Sequence, residues 1–242
     1  MAEVSNVCIG IQARSTSKRF PGKVFETIGG KTMLQHVVDA CESSKQYLNY
    51  NTPRNRIIAS VAVLVPYEDE IVSRGRSKTR IFEGSENDVL SRYVSMSDKL
   101  KADYIVRVTA DCPLIPNFLI TKHITTAVIN RYDYCSNVDE NARTAIDGFD
   151  VEVISRRALD WLDKNATEQS DREHVTTLLR RSVDVPTDFK FGHVVGYLNQ
   201  SHMKLSVDTP EDLERVRTEY ERVKLAIENA EKKSGKNNVH RF

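Results

Sequence analysis

Val7-Cys8-Ile9-Gly10-Ile11, running into Gln12-Ala13-Arg14-Ser15-Thr16-Ser17-Lys18-Arg19-Phe20-Pro21-Gly22-Lys23, is the stretch on which the reading of this chain turns. The first five residues form a short apolar run with β-branched members, which suits a buried strand rather than a helix. The strand releases a loop carrying Arg14, Lys18, Arg19 and Lys23, so up to four cations gather at one sheet edge. Ala13, Ser15, Thr16, Ser17 and Gly22 are small enough to let backbone N–H groups face an anion as well. Ligands of open α/β sheets lie outside the carboxyl ends of the strands, and a polyphosphate is what such a loop would hold. The stretch is neither a Walker A loop nor a GxGxxG dinucleotide fingerprint.

Outward from this stretch, strands and helices alternate. Gly29-Gly30 marks a turn, and Met33, Leu34, Val37 and Val38 have helical spacing as far as about Cys41. Residues 43–56 are polar and include Pro53, which predicts a loop. Residues 57–65 read as a strand, 67–75 as a short helix and 79–83 as a short strand. Ser85 is the expected N-cap of a helix over about 86–101. A further strand follows at 104–108, and Pro113 and Pro116 break the chain after it. Such alternation specifies an α/β fold in three layers, a mostly parallel sheet between helices. We expect a single domain over residues 1–231, with a protruding arm at 139–148 and a disordered tail at 232–242.

Composition sets the class. Lys and Arg total 35 against 34 Asp and Glu, a net charge of +1, which argues against a broad nucleic-acid footprint and makes the basic loop a local feature. No apolar run approaches the roughly 20 residues that span a bilayer, and residues 1–6 do not resemble a signal peptide. Cys8, Cys41, Cys112 and Cys135 are scattered without CxxC spacing, so they read as reduced, buried thiols of a cytoplasmic protein.

Acidic residues recur where strands end. In Val108-Thr109-Ala110-Asp111-Cys112-Pro113-Leu114-Ile115, Asp111 leaves a strand at the sheet edge, where a carboxylate can hold a divalent cation beside phosphates. In Val207-Asp208-Thr209-Pro210-Glu211-Asp212, Thr209 is a good N-cap, Pro210 sits at the first helical position and Asp212 completes a capping box. Asp212 therefore has a structural role, whereas Asp208 has none to account for it. Period-two alternation through Asp150-Val151-Glu152-Val153 places both carboxylates on one face, either a solvated one or one that meets a ligand. Ser170 reads as the N-cap of a helix with Glu173 at the box position. His174, beside it, is either a structural helix residue or a contact to a small molecule.

The blocks from Ile11 to Lys23, at Gly29-Gly30-Lys31 with Leu34-Gln35-His36-Val37-Val38, around Asp111 and around Asp208 resemble the sugar-activating cytidylyltransferases. This is the family of the CMP-Kdo and CMP-acylneuraminate synthetases, and the chain is most similar to the branch named after spore coat polysaccharide biosynthesis protein F. The resemblance runs from about residue 4 to 222. It implies a Rossmann-like, GT-A-like nucleotidyltransferase fold of roughly seven strands, and transfer of CMP from CTP to a sugar acid or related acceptor. It further implies that Arg14, Arg19 and Lys23 grip the triphosphate together with Ala13, that Ser85, Asp88 and Arg92 read the nucleobase, and that Asp111 and Asp208 bind Mg2+. Asp150, Glu152 and His174 are implied on the acceptor side, and a homodimer as the assembly. Rival readings are a relative that transfers another nucleotide, one that uses a phosphonate acceptor, a glycosyltransferase, or a catalytically silent nucleotide-binding protein. The chain has no D-x-D motif of the kind a glycosyltransferase would want.

Overall fold

Residues 7–11 form the middle of strand β1 (Ser5–Gln12), an inner strand of the main sheet in the computed structural model. The structure describes residues 4–51, 57–74, 79–139, 143–181, 184–196 and 198–234. A small hairpin, β2 (Thr27–Ile28) and β3 (Lys31–Thr32), leads into helix α1 (Met33–Asn51). Then come β4 (Ile57–Pro66), α2 (Glu70–Arg74), β5 (Arg80–Gly84), α3 (Val89–Leu100), β6 (Tyr104–Thr109) and α4 (Asn117–Asn130). The second half adds β7 (Tyr134–Ser136), β8 (Glu152–Ser155), α5 (Arg156–Asn165), α6 (Gln169–His174), α7 (Thr177–Arg181), β9 (Phe191–His193) and α8 (Pro210–Ser234). Seven strands form one sheet in the order β5-β4-β1-β6-β8-β7-β9, and only β8 runs against its neighbours. The three-layer, mostly parallel architecture is the one the alternation of elements specifies.

Side-chain alternation along β1 explains why both faces are covered. Val7, Ile9 and Ile11 pack into a cluster with Val37, Val38 and Cys41 of α1 and Ile120 and Ile124 of α4. Cys8 points the other way, into a cluster with Leu90, Tyr93 and Met96 of α3 and Leu159 and Leu162 of α5. A third, smaller cluster seats α8 against the hairpin through Ile28, Met33, Leu213 and Val216.

Several boundaries differ from the sequence reading for identifiable reasons. Helix α1 continues through residues 43–51, where a loop is expected, because Cys41, Ser44 and Leu48 keep a buried face at helical spacing. The polar residues there are partnered: Ser44 Oγ meets Thr121 Oγ1 at 2.8 Å, and Asn49 exchanges two hydrogen bonds with the Ala59 backbone. Helix α3 starts at Val89, capped by Asp88 and not by Ser85; the Asp88 carboxylate accepts from Ser91 N–H at 2.9 Å. Helix α6 starts after Glu168 with no side-chain cap, so Ser170 and Glu173 do not form the expected box. Helix α8 runs to Ser234, three residues into the expected tail, and 235–242 lie outside the described residues. Of the expected arm at 139–148, residues 140–142 also lie outside them. Its far end is bonded to the chain before α8, with Asp147 N–H on the Met203 carbonyl at 3.0 Å and Leu205 N–H on the Asp147 carbonyl at 2.6 Å. No helix among the described residues is long and apolar enough to cross a membrane.

Gly10 is fixed by packing. A Cβ there would lie 2.7 Å from Tyr93 Cε1 and 3.1 Å from both Leu64 Cδ1 and Met96 Cε, and the Tyr93 hydroxyl donates to the Gly10 carbonyl at 3.3 Å. Overpacking a tight core costs about 1–3 kcal/mol. Gly10→Ala should lower unfolding free energy by about that much in urea titration; an unchanged midpoint would mean that β1 and α3 are not packed as described.

Candidate active site

Gly22 sets the geometry of the basic loop. Its left-handed backbone (φ 73°) turns the chain into a single 3-10 turn, Lys23–Phe25, which buries Lys23 and Val24. Glycine adopts that conformation without the penalty other residues carry. The loop is pinned at three further points: Ala13 N–H to the Leu64 carbonyl at 3.0 Å, Gly22 N–H to the Ser15 carbonyl at 2.9 Å, and Ser15 N–H to Asp69 Oδ2 at 2.9 Å. Lys23 thereby points inward while Arg19 stays two-thirds exposed.

Inside, the Lys23 ammonium lies 2.6 Å from the Val207 carbonyl, 3.3 Å from Asp111 Oδ2 and 3.5 Å from Asp208 Oδ1. Arg19 reaches the same Asp208 oxygen at 2.8 Å. The segments carrying the two aspartates also touch directly, through Val207 N–H on the Asp111 carbonyl at 2.8 Å. Burial alone would raise the Asp111 carboxyl, but Lys23 beside it and a hydrogen bond from Thr109 hold it below the ordinary carboxylate value. Thus Arg19, Lys23, Asp111 and Asp208, separated by up to 189 residues, meet at one point.

That point opens into a cavity of about 420 Å³ at the carboxyl ends of β1 and β6. Gln12, Ala13, Arg14, Ser17, Lys18, Arg19 and Lys23 line one side, and Arg107, Thr109, Asp111 and Asp208 form the floor. Arg92 comes from α3, and Glu173 and His174 come from α6. Arg92 is almost fully buried and donates to the Leu64 carbonyl at 3.2 Å. His174 is the last residue of α6. After it, Val175 has a left-handed backbone (φ 63°, ψ −58°), and Thr176 N–H closes on the His174 carbonyl at 2.7 Å. A three-residue turn of this hand is strained, most of all at a β-branched residue.

The remaining expected residues lie elsewhere. Ser85 and Asp88 do not line the cavity: Ser85 Oγ accepts from Asp88 N–H, and the Asp88 carboxylate is divided between Ser91 and the Arg172 guanidinium at 2.7 Å. Asp150 precedes β8 and pairs with Arg143 at 2.5 Å; burial lifts its carboxyl to about 6 against that pairing. Glu152 is on neither a solvated face nor the cavity wall. Fully buried, it takes Arg107 on Oε2 at 2.5 Å and both the Tyr134 and Thr176 hydroxyls on Oε1 at 2.6 Å. Asp212 does form the capping box, its carboxylate accepting from Asp208 and Thr209 N–H at 3.0 and 3.1 Å. Burial opposes ionisation of Asp212, but Lys204 and these backbone donors bring its carboxyl down to about 2.

The sequence reading did not single out Arg107. The signal was available: an arginine between Val106 and Val108 in an apolar strand needs a buried partner, and the antiparallel register sets it opposite Glu152. Removing one member of a buried ion pair leaves an uncompensated charge. Glu152→Ala should therefore cost about 3–5 kcal/mol in urea unfolding, and a loss below about 1 kcal/mol would place the pair in solvent.

A basic loop and paired carboxylates at the carboxyl edge of such a sheet suit the phosphates of a nucleotide, as in a nucleotidyltransferase. The comparisons with known proteins agree: the family model described as cytidylyltransferase matches residues 7–234, and the chain belongs to that family. It is 28% identical over 224 residues to the spore coat polysaccharide biosynthesis protein SpsF of Bacillus subtilis, covering 90% of this chain and 88% of that one. Its fold is similar to that of a cytidylyltransferase from Leptospira borgpetersenii, with a TM-score of 0.75, 24% identity and full coverage of both chains. It is also similar to that of a CMP:2-keto-3-deoxy-manno-octonic acid synthetase complexed with CTP, with a TM-score of 0.60, 17% identity, and 88% of this chain and 98% of that one covered.

Proposed function

We propose that the chain transfers CMP from CTP to a sugar acid or a related small acceptor, with release of pyrophosphate, in the making of surface polysaccharide precursors. The observation that carries this reading is the convergence of Asp111 and Asp208 on Lys23 beneath a loop with three further cations. The acceptor oxygen attacks the α-phosphorus in line, so the protein's task is to position and neutralise. Arg14, Arg19 and Lys23 balance the triphosphate and the departing pyrophosphate, and Arg92 faces the nucleoside end of the cavity. His174, held by the strained turn, faces the acceptor. Asp150 and Glu152 support that side from behind, Glu152 by fixing Arg107 and Thr176.

Asp111 and Asp208 are the residues that would hold Mg2+. They fit it, because two carboxylates already converge on one positive charge, and Mg2+ commonly takes one or two protein carboxylates with phosphate and water completing its shell. The ion would supply charge neutralisation and polarise the α-phosphate. We further propose a cytoplasmic homodimer.

The test is pyrophosphate release with each of the four NTPs, in the presence of Mg2+, against a panel of 2-keto sugar acids, other sugars and phosphonates. CTP with one member of the panel should give turnover, and Arg19→Ala should lose CTP binding while moving stability by under about 0.5 kcal/mol. Turnover with UTP or GTP in place of CTP, or an Arg19→Ala chain that binds CTP normally, would contradict the proposal.

A further inference from the structure

Asp208 is held from two sides. Arg19 and Lys23 engage its Oδ1 from the cavity, and Lys204 engages its Oδ2 at 3.2 Å. Lys204 does not line the cavity; it borders a surface groove on the other side, together with Arg215 and Glu219. Its head group is also fixed on Asp212 Oδ2 at 2.9 Å, and Asp212, in the first turn of α8, is in turn held by the Asp208 and Thr209 N–H groups just before that helix and by Arg215. Its backbone is fixed as well, by a parallel bridge to Asp147 and by Arg215 Nε on its carbonyl at 3.0 Å.

We propose that Lys204 is a positioning residue. It anchors the outer oxygen of Asp208 to the start of α8, so that the inner oxygen stays turned to the cavity when Arg19 and Lys23 engage the triphosphate. This rests on the reading of Asp208 as a metal ligand. Carboxylates that bind a metal are themselves held by outer hydrogen bonds, and loss of such a partner typically weakens metal binding by about 10–100-fold. Charge alone works in the opposite direction: deleting a cation near a divalent ion removes repulsion and tightens binding. The sign of the effect therefore separates positioning from simple charge.

The experiment titrates Mn2+ into the CTP-saturated protein and follows free Mn2+ by electron paramagnetic resonance, for wild type, Lys204→Met and Lys204→Arg, with thermal unfolding of each. Lys204→Met should weaken Mn2+ binding about tenfold or more, and Lys204→Arg should restore most of the loss. Mn2+ binding by folded Lys204→Met that is as tight as wild type, or tighter, overturns the inference. If Lys204→Met does not fold, Lys204→Gln carries the same test, weaker binding supporting the inference and unchanged or tighter binding overturning it. Failure of the wild-type CTP complex to bind Mn2+ overturns the metal reading of Asp111 and Asp208, and this inference with it.

Discussion

One ammonium group, Lys23 Nζ, joins the parts of the chain that make the site. It touches the Val207 carbonyl, Asp111 and Asp208, so it bridges the ends of two segments that approach from opposite halves of the sequence. Two carboxylates brought together without a cation repel, and one of them would hold its proton instead. With Lys23 between them, Asp111 stays ionised despite its burial. The arrangement depends on Gly22, whose left-handed turn sends the lysine inward, and on Gly10, whose missing side chain lets α3 close over β1.

The site is built so that positive charge remains for a ligand. Lys23 pairs with the two aspartates and Arg19 leans on Asp208 from solvent, while Arg14 and Lys18 add two more cations to the lining of the same cavity. Elsewhere the charges are balanced internally, Arg107 against Glu152 and Arg143 against Asp150. The cavity thus has a cationic edge suited to phosphates, and Arg107 on its wall is paired from behind with the buried Glu152.

Much of this was legible in the sequence, for physical reasons. The run at 7–11 suited a strand and is one, and the clustered cations that follow it line one cavity at its carboxyl end. Asp111 and Asp208 stood out because neither had a capping role, whereas Asp212 did, and the hydrogen bonds of the capping box agree. Failures came where polar residues have buried partners that periodicity cannot show. Ser44 and Asn49 continue a helix that looked like a loop, and Asp88 caps a helix for which Ser85 was the expected cap. Glu152 alternated correctly yet meets Arg107 rather than solvent, a pairing that only the β6–β8 register reveals.

The claim that Asp111 and Asp208 act as one unit around a single cation is tested most directly by the metal-dependent part of CTP binding. Calorimetric titration of CTP with and without Mg2+ should be made on wild type, Asp111→Asn, Asp208→Asn and the double variant. Groups that act as a unit do not contribute additively. Each single variant should lose essentially the whole Mg2+-dependent gain in affinity, and the double variant no more. Partial losses that sum in the double variant would show that the two carboxylates work separately.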